Sequence, residues 1–242
     1  MASENAAAVN LQTGVHLQYI REHGYVVLEN VLSSDEVAEY TSLVYEVYHR
    51  SGKEVGVERL HSLTYYSHHQ RFLDLLEFPP MLALVRQALS SNIYVYHTHL
   101  DVNPRNSVPS YHWHQDVDLI SRDCEKLGAP LFLKVGYYLT DVPTEQHGAT
   151  RVQPGTHAGR AFDPDDPGIP LIVPAGSAVI FDHRLWHTSG LNTSATDRLA
   201  IFVAYGYRWI RRRDEIPVFS GQLNDLGRTL RILLDELPPE TT

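Results

Sequence analysis

Four stretches in the later two-thirds of the chain, NIYVYHTHLDV, LFLKVGYYLTDV, LIVPAGSAVIFD and RLAIFVAYGYRW, are dense in β-branched and aromatic residues. Clusters of Gly, Pro, Asn and Asp separate them. Side chains of this kind fit a pleated, half-buried surface, and short strands at such spacing suggest an antiparallel sandwich or barrel. The β pattern begins at about residue 92 and runs to about 212. Before it the periodicity is helical. Ser33 followed by Glu36 fits a capping box, and Val37, Tyr40, Val44 and Val47 then recur at helical spacing. RFLDLLEF, Pro79-Pro80 and MLALVRQAL read as two short helices, the second opened by proline. A last helix is expected over about 221–236, carrying Leu223, Leu226, Leu230 and Leu233, with Gly227 as a weak point inside it. The expected class is mainly β with flanking helices. At 242 residues the chain is expected to form one domain, 1–242, with a helical part at about 15–90.

Charge narrows the function. With 29 Asp and Glu against 20 Lys and Arg, the chain carries a formal −9, which speaks against a nucleic-acid partner because such affinity rests on clustered cations. The run Arg211-Arg212-Arg213 is too short to reverse this. No stretch approaches the roughly 20 apolar residues of a membrane helix, and the first ten residues lack a signal-peptide pattern, so a cytoplasmic protein without a membrane partner is expected. Cys124 is the single cysteine, which excludes an internal disulfide and fits a reducing compartment. The oligomeric state is not legible.

The chemistry gathers in SYHWHQDVD, residues 110–118. Alternation on an extended strand sends His112, His114 and Asp116 to one face. A His-X-Asp pair offers one imidazole nitrogen and one carboxylate oxygen, and a histidine from another strand would complete a facial triad suited to Fe(II) with open positions. The natural third ligand is His187, in FDHRLWHTSG. Arg198 follows eleven residues later, where its guanidinium could grip a carboxylate through parallel hydrogen bonds. His112 reads as a neighbour of the ligands or part of a pocket wall. His61, His68 and His69 read as ordinary surface residues, His157 as structural, and His183 as ambiguous. On 92–103, alternation places His97, His99 and Asp101 on one face.

HGYVVLENVLSSDEV near the start, WHQD at 113–116, HGATRVQPGTH at 147–157 and HTSGLNTSATDR at 187–198, taken in this order, resemble the phytanoyl-CoA dioxygenase family. That family comprises Fe(II)- and 2-oxoglutarate-dependent oxygenases and includes the ectoine hydroxylases. The resemblance covers most of residues 20–210 and implies a double-stranded β-helix, or jelly roll, with iron inside one mouth. It implies His114, Asp116 and His187 as iron ligands, Arg198 on the far carboxylate of 2-oxoglutarate, and Ser189 as its hydroxyl partner. His97 matches a substrate-holding glutamine of ectoine hydroxylases, and Phe181 a phenylalanine lining their substrate space. Tyr96 and Trp209 join them as candidate wall.

The sequence also departs from the family. His99 and Asp101 stand where ectoine hydroxylases carry polar groups for the cosubstrate. His99 is kept in the expected cosubstrate set, whereas Asp101 is left out because an unpaired aspartate would repel a dianion. Gly136 replaces a serine or tryptophan of relatives, and the gap is expected to be filled from Lys134 or Tyr138, with Lys134 offering charge to 2-oxoglutarate. Relatives that transfer halide lack the carboxylate at Asp116, so its presence here speaks for oxygenation.

The implied reaction consumes dioxygen and 2-oxoglutarate, releases succinate and carbon dioxide, and oxidises an unactivated C–H bond of a small molecule. Hydroxylation is expected, with desaturation, epoxidation or cyclisation open to the same centre. No basic patch suits a CoA pyrophosphate, which favours a free natural-product intermediate or amino-acid derivative. Two other readings use the same ligands: a cupin-like metal-binding protein without oxygenase activity, and a zinc hydrolase that activates water.

Overall fold

The computed structural model describes residues 13–107, 112–116, 128–215 and 225–238. Helices α1 (Thr13–His23), α2 (Ser34–Arg50), α3 (Leu73–Leu76) and α4 (Pro79–Ala88) precede most of the strands. The Ser33 hydroxyl accepts from the Glu36 amide while the Glu36 carboxylate accepts from the Ser33 amide, so the capping box forms and starts α2. Pro79 opens α4, where a missing N–H costs nothing.

The strands are β1 (Tyr25–Leu28), β2 (Leu60–Leu63), β3 (Ile93–Asn103), β4 (Phe132–Tyr138), β5 (Thr150–Val152), β6 (Ile169–Pro170), β7 (Ala178–Asp182), β8 (His187–Ser189) and β9 (Arg198–Tyr207). They form a six-stranded sheet in the order β1-β7-β4-β9-β3-β2 and a three-stranded sheet in the order β6-β5-β8. Every described pairing of strands is antiparallel.

Alternation along the central strands divides their two faces between different tasks. Leu133, Val135 and Tyr137 of β4, with Leu199, Ile201, Val203 and Tyr205 of β9, share a core with Tyr40, Val44, Met81 and Leu84 of the helices. Burying side chains such as Val44 and Leu84 stabilises by about 1.5–3 kcal/mol each. The opposite face sends Tyr138, Phe181, Ala200 and Phe202 toward Val152 and Ala149, so a second core lies between the sheets. Polar residues on that inner face, His97, His99, Asp101, Lys134 and Arg198, are buried beside it.

Strand β3 carries one irregularity. Val95 is opposite Tyr205 but His97 is opposite Ala204, so Tyr96 is an extra residue, a β-bulge. The bulge lets Tyr96 and His97 turn to the same side, which simple alternation forbids.

Among the described residues the C-terminal helix spans Arg228–Leu233, and of the 221–236 expected, 221–224 lie outside them. Gly227 sits at its cap rather than inside it, which avoids the roughly 1 kcal/mol that glycine costs in a helix interior. Leu230 and Leu233 reach the helical core and Leu226 packs against it. Leu223 and Cys124 lie outside the described residues. Among the described residues no helix is long and apolar enough to cross a membrane.

Candidate metal centre and ligand cavity

The segment holding His114 extends the small sheet. His114 and His187 form an antiparallel bridge, each amide donating to the other's carbonyl at 3.0 and 2.9 Å, and the Asp116 amide donates to the His183 carbonyl at 2.9 Å. Backbone pairing thus carries the two histidines across from one another, with their rings 4.3 Å apart. Ligand atoms of His114, Asp116 and His187 all lie within 4.8 Å of one another.

The donor set fits a divalent metal. His114 Nδ1 lies 2.9 Å from the His112 carbonyl, and His187 Nδ1 lies 2.9 Å from the Leu185 carbonyl. A carbonyl only accepts, so each Nδ1 carries a hydrogen, which in a neutral ring leaves Nε2 its lone pair. Metal-binding histidines are oriented in this way by the groups behind them. Burial holds the His187 pKa down to about 4, outweighing the Asp116 carboxylate that would raise it, so the ring is neutral and able to ligate at neutral pH. Burial alone would raise the Asp116 pKa, but the Lys134 ammonium and His187 bring it well below the usual carboxylate range. Two imidazole nitrogens and one carboxylate oxygen are the chemistry of a facial triad.

These side chains open onto a cavity of about 300 Å³. Its wall includes four cations, Arg59, Lys134, Arg198 and Arg213, and the carboxylates Asp101 and Asp116. Arg198 is 2% exposed, and its NH2 donates to Asp101 Oδ2 at 2.9 Å and to Ser189 Oγ at 3.1 Å. Arg198 Nε is buried without a hydrogen-bond partner, the state of a donor set aside for a ligand. Arg59 grips the other side of Asp101 through Nε at 2.9 Å and NH2 at 2.7 Å. Against the burial that would raise it, Arg198 and Arg59 hold the Asp101 pKa down. The repulsion expected of Asp101 is therefore answered by two guanidinium groups.

Of the residues singled out in the sequence, His114, Asp116, His187, Arg198, Ser189, His97, His99, Lys134 and Phe181 all line this cavity. Lys134 contacts the Asp116 carboxylate and lies over the Phe181 ring, 5.5 Å from its centroid. Tyr96 and Trp209 are not brought there. Tyr96 stacks on Phe132 at 4.7 Å within a separate apolar cluster, and Trp209 is 66% exposed and stacks on Tyr207. His112 is exposed, and its backbone carbonyl accepts from His114 Nδ1. The space beside Gly136 is filled by neither Lys134 nor Tyr138. A Cβ at Gly136 would stand 2.5 Å from Phe202 Cε1, so glycine is there to admit the Phe202 ring.

Sequence reasoning missed Arg59, Arg213, Phe202 and Asp214; it read His61 as a surface residue, and His61 is exposed at the cavity mouth. His61 lines the cavity, its ring 4.5 Å from that of His99. His157 does have a structural contact, its Nε2 lying 3.1 Å from the Arg21 carbonyl of α1. His183 is buried against the Phe132 carbonyl, away from the cavity.

Comparison with known proteins agrees with this arrangement. A model of the phytanoyl-CoA dioxygenase family matches residues 20–200. An uncharacterised protein of Mycobacterium tuberculosis is 32% identical over 198 residues, covering 74% of this chain and 69% of the relative. The L-proline trans-4-hydroxylase of Streptomyces griseoviridis is 25% identical over 221 residues, covering 75% and 82%. Among solved structures, a non-haem alpha-ketoglutarate-dependent carbocyclase from nogalamycin biosynthesis superposes with a TM-score of 0.66 at 24% identity, over 88% of this chain and 90% of that one. That likeness shows the fold, a jelly roll built on antiparallel sheet. The chain belongs to the phytanoyl-CoA dioxygenase family and is an Fe(II)- and 2-oxoglutarate-dependent dioxygenase.

Proposed function

We propose that His114, Asp116 and His187 hold Fe(II), that Arg198 and Ser189 hold the far carboxylate of 2-oxoglutarate, and that the chain hydroxylates a C–H bond of a small molecule in the same cavity. The observation that carries this is the pairing of two histidines, each with Nδ1 committed to a carbonyl, with a buried arginine that keeps an unpartnered donor on the same cavity wall. The bound metal, with 2-oxoglutarate and dioxygen, would supply the oxidant, releasing succinate and carbon dioxide. The chain supplies three ligands, a fixed grip on the cosubstrate and a wall that orients the substrate carbon.

Lys134 presents its ammonium to the Asp116 carboxylate and lies against Phe181 and Phe202, so it adds positive charge on the side where an anionic cosubstrate would sit. A cavity near 300 Å³ is at the small end of ligand pockets, which favours a free small molecule over an acyl-CoA. Relatives named L-proline trans-4-hydroxylase and ectoine dioxygenase act on molecules of that size class. Residues 1–242 act as a single catalytic domain that works in the cytoplasm.

The test is anaerobic visible absorption of the purified protein with Fe(II), before and after 2-oxoglutarate is added. A weak metal-to-ligand charge-transfer band on addition is expected and would justify screening substrates by coupled succinate release. Bound iron with no such band would overturn the assignment of the cosubstrate site.

A further inference from the structure

Behind the cavity wall runs a line of hydrogen bonds that the ligand and cosubstrate assignments leave unused. Asp214 follows Arg213, and its Oδ2 accepts from the Thr98 amide at 2.8 Å while its Oδ1 lies 2.7 Å from His97 Nδ1. His97 Nε2 in turn lies 3.1 Å from His99 Nδ1. His99 stacks on Phe202, with ring centroids 4.6 Å apart at 17°, and lies against His61, so its plane is fixed. Both His97 and His99 are buried and line the cavity.

The chain has a direction. A carboxylate offers only acceptors, so His97 Nδ1 must carry a hydrogen. Burial lowers the pKa of both rings, with Lys134 and Arg213 adding to it and Asp214 only partly offsetting it at His97, so each ring carries one hydrogen at neutral pH. His97 Nε2 is then an acceptor, and His99 Nδ1 must donate to it. What remains is His99 Nε2, a lone pair without a hydrogen.

An acceptor suits a hydroxyl or an ammonium and repels a carboxylate or carbonyl oxygen. The surroundings choose between the first two. Lys134 from β4, Arg59 before β2, Arg198 from β9 and Arg213 after β9 all line the cavity, four cations against three carboxylates, of which Asp101 is committed to Arg59 and Arg198, Asp116 to Lys134, and Asp214 to His97 and the Thr98 amide. A substrate ammonium would meet this excess of positive charge, and a neutral hydroxyl would not.

We infer that His99 Nε2 selects a hydroxyl group of an uncharged or anionic substrate, with His97 and Asp214 as positioning residues that fix its tautomer. This rests on the cavity being the oxygenase pocket. It removes His99 from the groups expected to bind 2-oxoglutarate, whose carboxylates need donors. It also sets this pocket apart from one built for an amino acid bearing an ammonium.

The test is long-range ¹H–¹⁵N correlation spectroscopy on the full chain labelled at histidine, with Zn(II) and 2-oxoglutarate added and with His97→Gln and His99→Gln assigning the signals. His99 Nε2 is expected to resonate as a pyridine-type nitrogen and to shift when phenol is titrated in, but not with benzylamine at neutral pH. In Asp214→Asn the amide must keep its oxygen for Thr98 and turn its NH₂ to His97, which reverses both tautomers. The Nε2 signal of His99 should then become pyrrole-type and the phenol response should be lost. A pyrrole-type His99 Nε2 in the unsubstituted protein overturns the inference, as does a response to benzylamine in place of phenol. Because the tautomer is read without turnover, failure here is distinct from a missing charge-transfer band, which would count against the oxygenase assignment itself.

Discussion

Replacing Arg198 by lysine separates the charge at that position from its geometry. The arginine uses NH2 on Asp101 and Ser189 and keeps a buried Nε without a partner, so one flat group serves a structural carboxylate and an incoming one together. A lysine ammonium keeps the charge but is a single point, and it cannot reproduce the two parallel bonds an arginine makes to a carboxylate. One charge-assisted hydrogen bond to 2-oxoglutarate should be lost, about 2 kcal/mol, or roughly 30-fold in affinity. Folding should suffer little, because Asp101 retains both bonds to Arg59, at 2.9 and 2.7 Å. Metal affinity should be unchanged, since Arg198 is held by Asp101 and Ser189 rather than by the metal ligands. The assay is an anaerobic titration of 2-oxoglutarate into the Fe(II)-loaded variant, followed by the charge-transfer band, beside a separate metal titration and a thermal melt. A 2-oxoglutarate affinity within twofold of the parent would refute the reasoning. So would an equal loss of metal and cosubstrate binding.

Asp116→Asn should weaken Fe(II) binding by tenfold or more in an equilibrium competition with a chelator, since it removes the only anionic ligand of the triad; metal binding at parent strength would sink the assignment. Gly136→Ala places a methyl where Phe202 Cε1 stands 2.5 Å away, so it should cost about 1–3 kcal/mol in urea unfolding, and Gly136→Ala with Phe202→Leu should recover most of that loss. Protein stripped of metal should lose stability on acidification. The His187 pKa falls to about 4 on folding from an ordinary value near 6.5, so its contribution is complete above the higher value and is lost as pH drops through that window, about 3 kcal/mol in all. His97 and His99 shift in the same direction and add to the loss. A melting temperature that stays flat from pH 7 to about pH 4.5 would contradict this.

Legibility in the sequence followed the range of the interaction. Strands β3, β4 and β9 could be read because they are dense in β-branched and aromatic residues, and the capping box at Ser33 because its partners lie three residues apart. His114 and Asp116 share a face by alternation alone, and Arg198 stood out by its distance from His187. What escaped has no local signature. The bulge at Tyr96 adds a residue without changing composition, and it sets that ring on Phe132 beside the cavity rather than in it. Trp209 continues the apolar run of β9 in sequence, but β9 ends at Tyr207 and the indole projects into solvent. Arg59 lies 42 residues before Asp101, and Asp214 lies 117 after His97, separations at which no spacing rule operates.

Asp101 shows why those distant partners matter to the chemistry. Its position on the inner face of β3 was legible, and taken alone it argues against a dianion in the same cavity. The structure reverses the sign of that argument. Arg59 and Arg198 together bring two positive charges to one carboxylate, so the group of three carries a net positive charge while Asp101 holds Arg198 in place. An aspartate that would repel the cosubstrate on its own becomes the support that fixes the arginine facing it. Removing Asp101 should therefore weaken 2-oxoglutarate binding, although a negative charge has been taken away. Asp101→Ala should lower 2-oxoglutarate affinity and cost about 3–5 kcal/mol of stability, because it leaves buried guanidinium charge uncompensated. Tighter binding of 2-oxoglutarate in that variant would show that repulsion, not support, is the larger effect of Asp101.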